Sequence, residues 1–219
     1  MNVPFTLEQL LQVFEDYNLA IWPLQVFSLL FGLAAVYFAI RPTNYSNRLI
    51  TAILAFFWLS AGVGFGLLSF SQIYTPAYGS AGLNILQGIL FLVSVYKPRL
   101  SFRYKSNGYS FTGLVMIAYA ILGYPLIGTF LGHNYPQSMP FGLAPCPVTV
   151  FTFGLYLLTD QKIPKLFLVI PLIWALGGIM PVSIGILEDI GLIITGLVAT
   201  SLILFRDRQS GELRSQSMR

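Results

Sequence analysis

The chain has a single histidine, His133, and a single cysteine, Cys146, and both fall within residues 132–147, a stretch that also holds Pro136, Pro140, Pro145 and Pro147. A thiol beside an imidazole can act as nucleophile and base, and a thiol at a helix start has a lowered pKa. Sequence proximity alone does not place the two groups within hydrogen-bond reach. His133, Met139, Cys146 and Met180 are also soft ligands of the kind copper(I) prefers. There is no C-x-x-C, no second histidine and no H-x-x-x-H, so a structural histidine and an inert buried cysteine are the favoured reading, and no cofactor is called for. Glu188 and Asp189 open the last apolar segment, where they suit the positive end of a helix. Glu188 is also a candidate contact for His133.

These residues must be positioned by membrane spans. The chain is 56% hydrophobic and 9% charged, against about 25% charged in an ordinary soluble domain. An amphipathic helix is expected over residues 6–17, capped by Thr6 with Gln9 as its reciprocal partner. It carries Glu8, Glu15 and Asp16 and no basic residue, unlike a secretory leader. Seven apolar segments follow, near 19–40, 49–71, 76–96, 109–131, 147–160, 164–185 and 188–205. A span needs about 20 residues to cross about 30 Å of hydrocarbon, and the fifth is short. The expected fold is all-α: one domain over residues 1–206 with seven transmembrane helices, then a disordered polar tail over 207–219.

Charge placement orients this bundle. Arg41 and Arg48 lie in the first loop, Lys97, Arg99, Arg103 and Lys105 in the third, Lys162 and Lys165 at the fifth, and Arg206, Arg208, Arg214 and Arg219 at the end. Those are all 12 basic residues. Basic residues stay on the cytoplasmic side, so the N-terminus is expected outside and the C-terminus inside. The net charge of +4 therefore needs no nucleic acid to explain it. Lipid is the expected partner, with a small-molecule ligand and a membrane-protein partner or homodimer as further candidates.

No Asp, Glu, Lys or Arg falls well inside a span, which argues against an ion-coupled pump, a retinal Schiff base or a voltage sensor. The buried polar groups are neutral, and Asn84 and Gln87 sit one turn apart on the third span. Gly62/Gly66 and Gly128/Gly132 have the spacing of close helix contacts, with Gly79 and Gly82 as further candidates. The short fifth span puts Cys146 below the headgroups, so the proline-rich connection must descend to meet it. Irregular backbone at that depth is tolerated only when covered by protein or lining a cavity. An outer pocket is thus expected, built from His133, Tyr135, Cys146, Thr149, Asn84, Gln87, Tyr124, Trp174 and Glu188.

Gly132-His133-x-Tyr135-Pro136, Phe141-Gly142 and Pro145-Cys146-Pro147-x-Thr149-x-Phe151-Thr152 together resemble an uncharacterised family of bacterial seven-span membrane proteins. Tyr17-Asn18, Trp22-Pro23 and Trp174 fit the same pattern. The resemblance implies a multi-pass protein of a bacterial inner membrane and supplies no catalytic or binding residue. Three functions remain open: binding or transport of a small neutral or weakly anionic ligand, an accessory subunit of a membrane complex, and an enzyme using Cys146.

Overall fold

The protein is described by a computed structural model covering the backbone of residues 4–216 and the side chains of residues 4–209. All secondary structure among the described residues is helical, apart from one isolated bridge between Phe102 and Thr159.

Helix α1 (Leu7–Ala20) starts at the expected capping box, with the Thr6 side chain accepting from the Gln9 amide and Gln9 answering the Thr6 amide. Its apolar stripe buries Leu10, Phe14 and Tyr17 against the bundle. The first apolar segment is expected to start at residue 19 and to be one helix kinked at Pro23, but α1 takes Leu19 and Ala20, and α2 (Leu24–Ile40) begins after a turn at Pro23, bent by 87°. Proline has no N–H to continue the ladder, which places the break.

Helix α3 (Ser46–Ser60) continues through a π-helical stretch, Ala61–Leu67, and ends in a short 3-10 turn at Phe70–Gln72. In that stretch a Cβ on Gly62 or Gly66 would fall within about 3 Å of Ala81 or Ile85 on α4 (Ala77–Tyr96), so these glycines set the close approach of the two helices. Gly79 and Gly82 face open space instead, contrary to the close contact expected of them. Helix α5 (Gly108–Ala118) passes through a π-turn, Tyr119–Gly123, into α6 (Tyr124–Phe130), with Pro125 at the second position.

Helix α7 (Pro145–Leu157) is the centre of the bundle, with every one of its 13 residues buried. It starts two residues before the expected Pro147 and ends before 160. Gly154 on α7 and Gly113 on α5 face each other so closely that a Cβ on either would meet the other's carbonyl. Helix α8 (Lys165–Gly177) contains Pro171 and leads into a short α9 (Ile179–Ser183). Helix α10 (Asp189–Gln216) is longer than its expected span, so helical backbone covers most of the stretch expected as a disordered tail; residues 217–219 lie outside the described residues. At that junction Asp207 accepts from the Ile163 amide, and Arg206 donates to the carbonyls of Tyr156 and Thr159. These bonds fasten the helix where the tail was expected to begin.

Among the described residues, five rods are long and apolar enough to cross a membrane: Ser46–Gln72, Ala77–Tyr96, Gly108–Phe130, Lys165–Ser183 and Asp189–Gln209. The bent α1–α2 pair makes six if it counts as one. Large apolar side chains such as Phe27, Leu30, Phe111, Leu126, Phe130 and Ile194 are exposed around the outside, as in a surface solvated by lipid.

The connections after α2, α4 and α7 meet at one end. There the Tyr104 amide donates to Ala39, Arg103 to Leu158, Asp160 to Ser101, and the Phe102 amide to the Asn47 side chain. The described basic residues cluster at this end. At the other end lie α1, the 131–144 connection, α9 and the start of α10.

Candidate functional site

The proline-rich connection of residues 131–144 folds into the far end of the bundle instead of standing off it. Tyr17 donates its hydroxyl to the Leu143 carbonyl, and the buried Asn18 amide donates to the carbonyls of Pro136 and Ser138 while its oxygen accepts from Gln25. Gln137 donates to Glu15. Residues 17 and 18, far away in sequence, therefore hold this connection. Gly142 has φ +77, and a Cβ there would lie 2.9 Å from both Phe57 and Ser28. Only glycine suits that backbone and that approach. Pro136 and Pro23 follow cis peptide bonds.

Under this connection lies a cavity of about 580 Å³. Leu10 and Phe14 of α1 line one side, Phe65, Phe70 and Tyr74 a second, Ser80 and Leu83 of α4 a third, and Trp174 and Met180 the last. Met139 and Cys146 complete the wall from the connection and the head of α7. The lining is almost wholly apolar, with the Cys146 thiol and the Ser80 hydroxyl among its few polar groups. Its volume is in the range of small-molecule pockets, roughly 300–1,000 Å³.

Of the expected pocket residues, the structure puts Cys146 and Trp174 on this cavity and divides the rest. Tyr135 is 57% exposed and outside it. Thr149 is buried on α7, where its hydroxyl is spent on the Pro145 carbonyl one turn back. The other expected residues lie off the cavity, most of them in two separate polar clusters.

The first cluster forms behind Cys146. The thiol donates to Asp189 Oδ2 at 3.3 Å, and Tyr124 donates to Asp189 Oδ1 at 2.8 Å. Tyr119 donates to the Glu188 carbonyl at 2.6 Å, and His133 Nδ1 lies 3.6 Å from Glu188 Oε1. Asp189 is fully buried and Glu188 is 3% exposed. Both therefore do more than balance a helix dipole at a wet surface, which is where the sequence reading left Asp189. The His133–Glu188 contact is the one considered there. Cys146 takes Asp189 as its partner, not His133, so the thiol–imidazole pair needed for the enzymatic reading is not formed. Among the described residues no three of His, Cys, Asp and Glu gather into a metal-holding group. Met139, Met180 and Cys146 share the cavity, while His133 turns away to Glu188.

The second cluster lies deeper. Asn84 and Gln87 are fully buried on α4. Gln87 Nε2 reaches only the Tyr156 hydroxyl, at 3.5 Å, and that hydroxyl donates to the Phe167 carbonyl. Both amide atoms of Asn84, and Gln87 Oε1, have no partner in the protein. A buried polar atom left in that state costs about 1–3 kcal/mol.

Residues 7–214 match a family of unknown function, DUF6064. The chain belongs to that family. No curated protein and no solved structure shows significant similarity to it. The match runs from the start of α1 to within two residues of the end of α10 and carries no activity with it. The resemblance read from the 132–152 motifs is thus met by an uncharacterised family, and the chemistry must be argued from this member's own side chains.

Proposed function

We propose that this DUF6064 member is a seven-crossing membrane protein that binds a small, largely apolar ligand in the cavity beneath the 131–144 connection. The cavity carries the reading: about 580 Å³ walled by aromatic and aliphatic side chains, with a thiol and a serine hydroxyl among its few polar groups. Such a lining favours an occupant that is itself mostly hydrocarbon, since burying its apolar surface releases about 25 cal/mol per Å².

The five long rods are joined by α2 and α7 to make seven crossings. Helix α2 has 17 residues and α7 has 13, about 26 Å and about 20 Å. The shortfall of α7 against about 30 Å of hydrocarbon is made up by the buried connection above it. With the described basic residues at the opposite end, the positive-inside rule turns this connection and the cavity to the outside of a bacterial inner membrane.

Pyrene, a neutral apolar fluorophore that accepts energy from tryptophan, tests the reading through Trp174. Saturable energy transfer is expected from the detergent-solubilised protein, and Ser80→Phe, which projects a ring into the cavity, should abolish it. Transfer that rises without saturating, or is the same in both proteins, contradicts ligand binding here.

A further inference from the structure

Ser80, Asn84 and Gln87 follow one another at spacings of four and three, so they share one face of α4. The next residue on that face, Phe91, packs on Tyr156 of α7 and Phe167 of α8, so the face looks into the bundle. Ser80 and Leu83 line the cavity. Asn84 directly follows Leu83 and stands one helical turn, about 5.4 Å, beyond Ser80. The polar row therefore begins at the cavity wall and runs inward from it.

What the row offers is specific. Asn84 Nδ2 is a donor without a protein acceptor, and Asn84 Oδ1 and Gln87 Oε1 are acceptors without a protein donor. Between Ala77 and Tyr96 there is no Asp, Glu, Lys, Arg or His. A charged group brought to this row would lose its hydration without gaining a counter-charge from α4. A pure hydrocarbon would leave all three amide atoms unmet, and a group that only accepts would meet one of them.

We infer that the cavity's ligand is an uncharged amphiphile whose polar end, a primary amide or hydroxyl that both donates and accepts, is held by Asn84 and Gln87. This rests on the cavity reading above and names the class of molecule that reading left open. The hydrocarbon part lies among Phe14, Phe65, Met139 and Trp174; Asn84 and Gln87 stand behind the cavity wall, so the polar end must displace Ser80 and Leu83 to reach them. Asn84 is the positioning residue for the ligand and Gln87 the second acceptor.

Three ten-carbon probes differing only in their end group, decanamide, decanoate and decane, separate the possibilities by displacement of pyrene from the solubilised protein. Partition into protein-free micelles is subtracted. Decanamide should displace pyrene at about tenfold lower concentration than decane, the effect of one or two neutral hydrogen bonds, and decanoate should gain no such advantage. Asn84→Leu should bring decanamide level with decane while leaving decane itself unchanged. Gln87→Met, of similar shape, should reduce the advantage in part and covers the case in which Asn84→Leu does not fold. Equal displacement by decanamide and decane in the unaltered protein, or an advantage that survives Asn84→Leu, overturns the inference and leaves the cavity reading standing; the amide atoms then hold water only. No saturable pyrene signal at all overturns both.

Discussion

Replacing Asp189 with alanine leaves the Tyr124 hydroxyl and the Cys146 thiol buried with no acceptor, since each donates to one of its carboxylate oxygens. Two such losses amount to about 2–5 kcal/mol. For a chain of this length the melting temperature should fall by about 5–15 °C in a thermal melt of the solubilised protein. Asp189→Asn keeps an acceptor for Tyr124 and should lose less. A melt unchanged in Asp189→Ala would mean the cluster behind Cys146 is not a structural unit. The sequence showed that residues 188 and 189 open a helix, and a dipole partner at a wet end was the natural reading. What buries them is the packing of α6, α7 and the 131–144 connection around that helix start, and no local pattern encodes it. The thiol was different. Pro147 was expected to open the helix beneath irregular backbone; the helix opens at Pro145, and Cys146 is buried in its first turn.

At the level of elements, hydrophobic run length located the apolar helices, because lipid demands long apolar stretches and the loops are short, but it missed some ends: α2 starts at Leu24 where 19 was expected, and α10 runs to Gln216 where 205 was expected. The internal irregularities were less legible. Pro23 was read as a kink within one helix, yet it separates two helices lying 87° apart. The π-helical stretch at Ala61–Leu67 has no signal beyond its small residues, whose role depends on α4 lying against them. The connection before α7 offers a controlled comparison. Gly132 and Gly142 both have positive φ, +88 and +77, but a Cβ on Gly132 meets nothing within 4 Å, whereas one on Gly142 meets Phe57 and Ser28 at 2.9 Å. Gly132→Ala should cost only the backbone term, about 1–2 kcal/mol. Gly142→Ala adds overpacking of about 1–3 kcal/mol and should also reduce pyrene binding, because Leu143 and the cavity wall move with it. Equal melting temperatures for the two variants would contradict this placement of the connection.

For the molecule as a whole, the three basic loops and the Arg206 region form one end, joined by main-chain bonds such as Arg103 to Leu158 and Tyr104 to Ala39. By the positive-inside rule, the proposed topology has that end facing the cytoplasm. On a Cys146→Ser background, a membrane-impermeant maleimide applied to intact cells should label Asn134→Cys and spare Tyr45→Cys, both of which replace exposed residues. The reverse pattern would invert the proposed topology and put the cavity on the cytoplasmic side. Composition and charge placement led to a membrane bundle with an expected orientation, while the apolar character of the cavity could not be read from them. Its walls come from stretches as far apart as Leu10 and Met180, and only packing shows which of their faces meet.

That a hydrocarbon-rich molecule occupies this cavity is best tested by native mass spectrometry of the protein released from a mild detergent, unaltered and as Ser80→Phe. A discrete adduct of one neutral amphiphile on the unaltered protein, missing from a Ser80→Phe variant with the same melting temperature, is the predicted result. The bare polypeptide mass in both, or the same adduct in both, would contradict it.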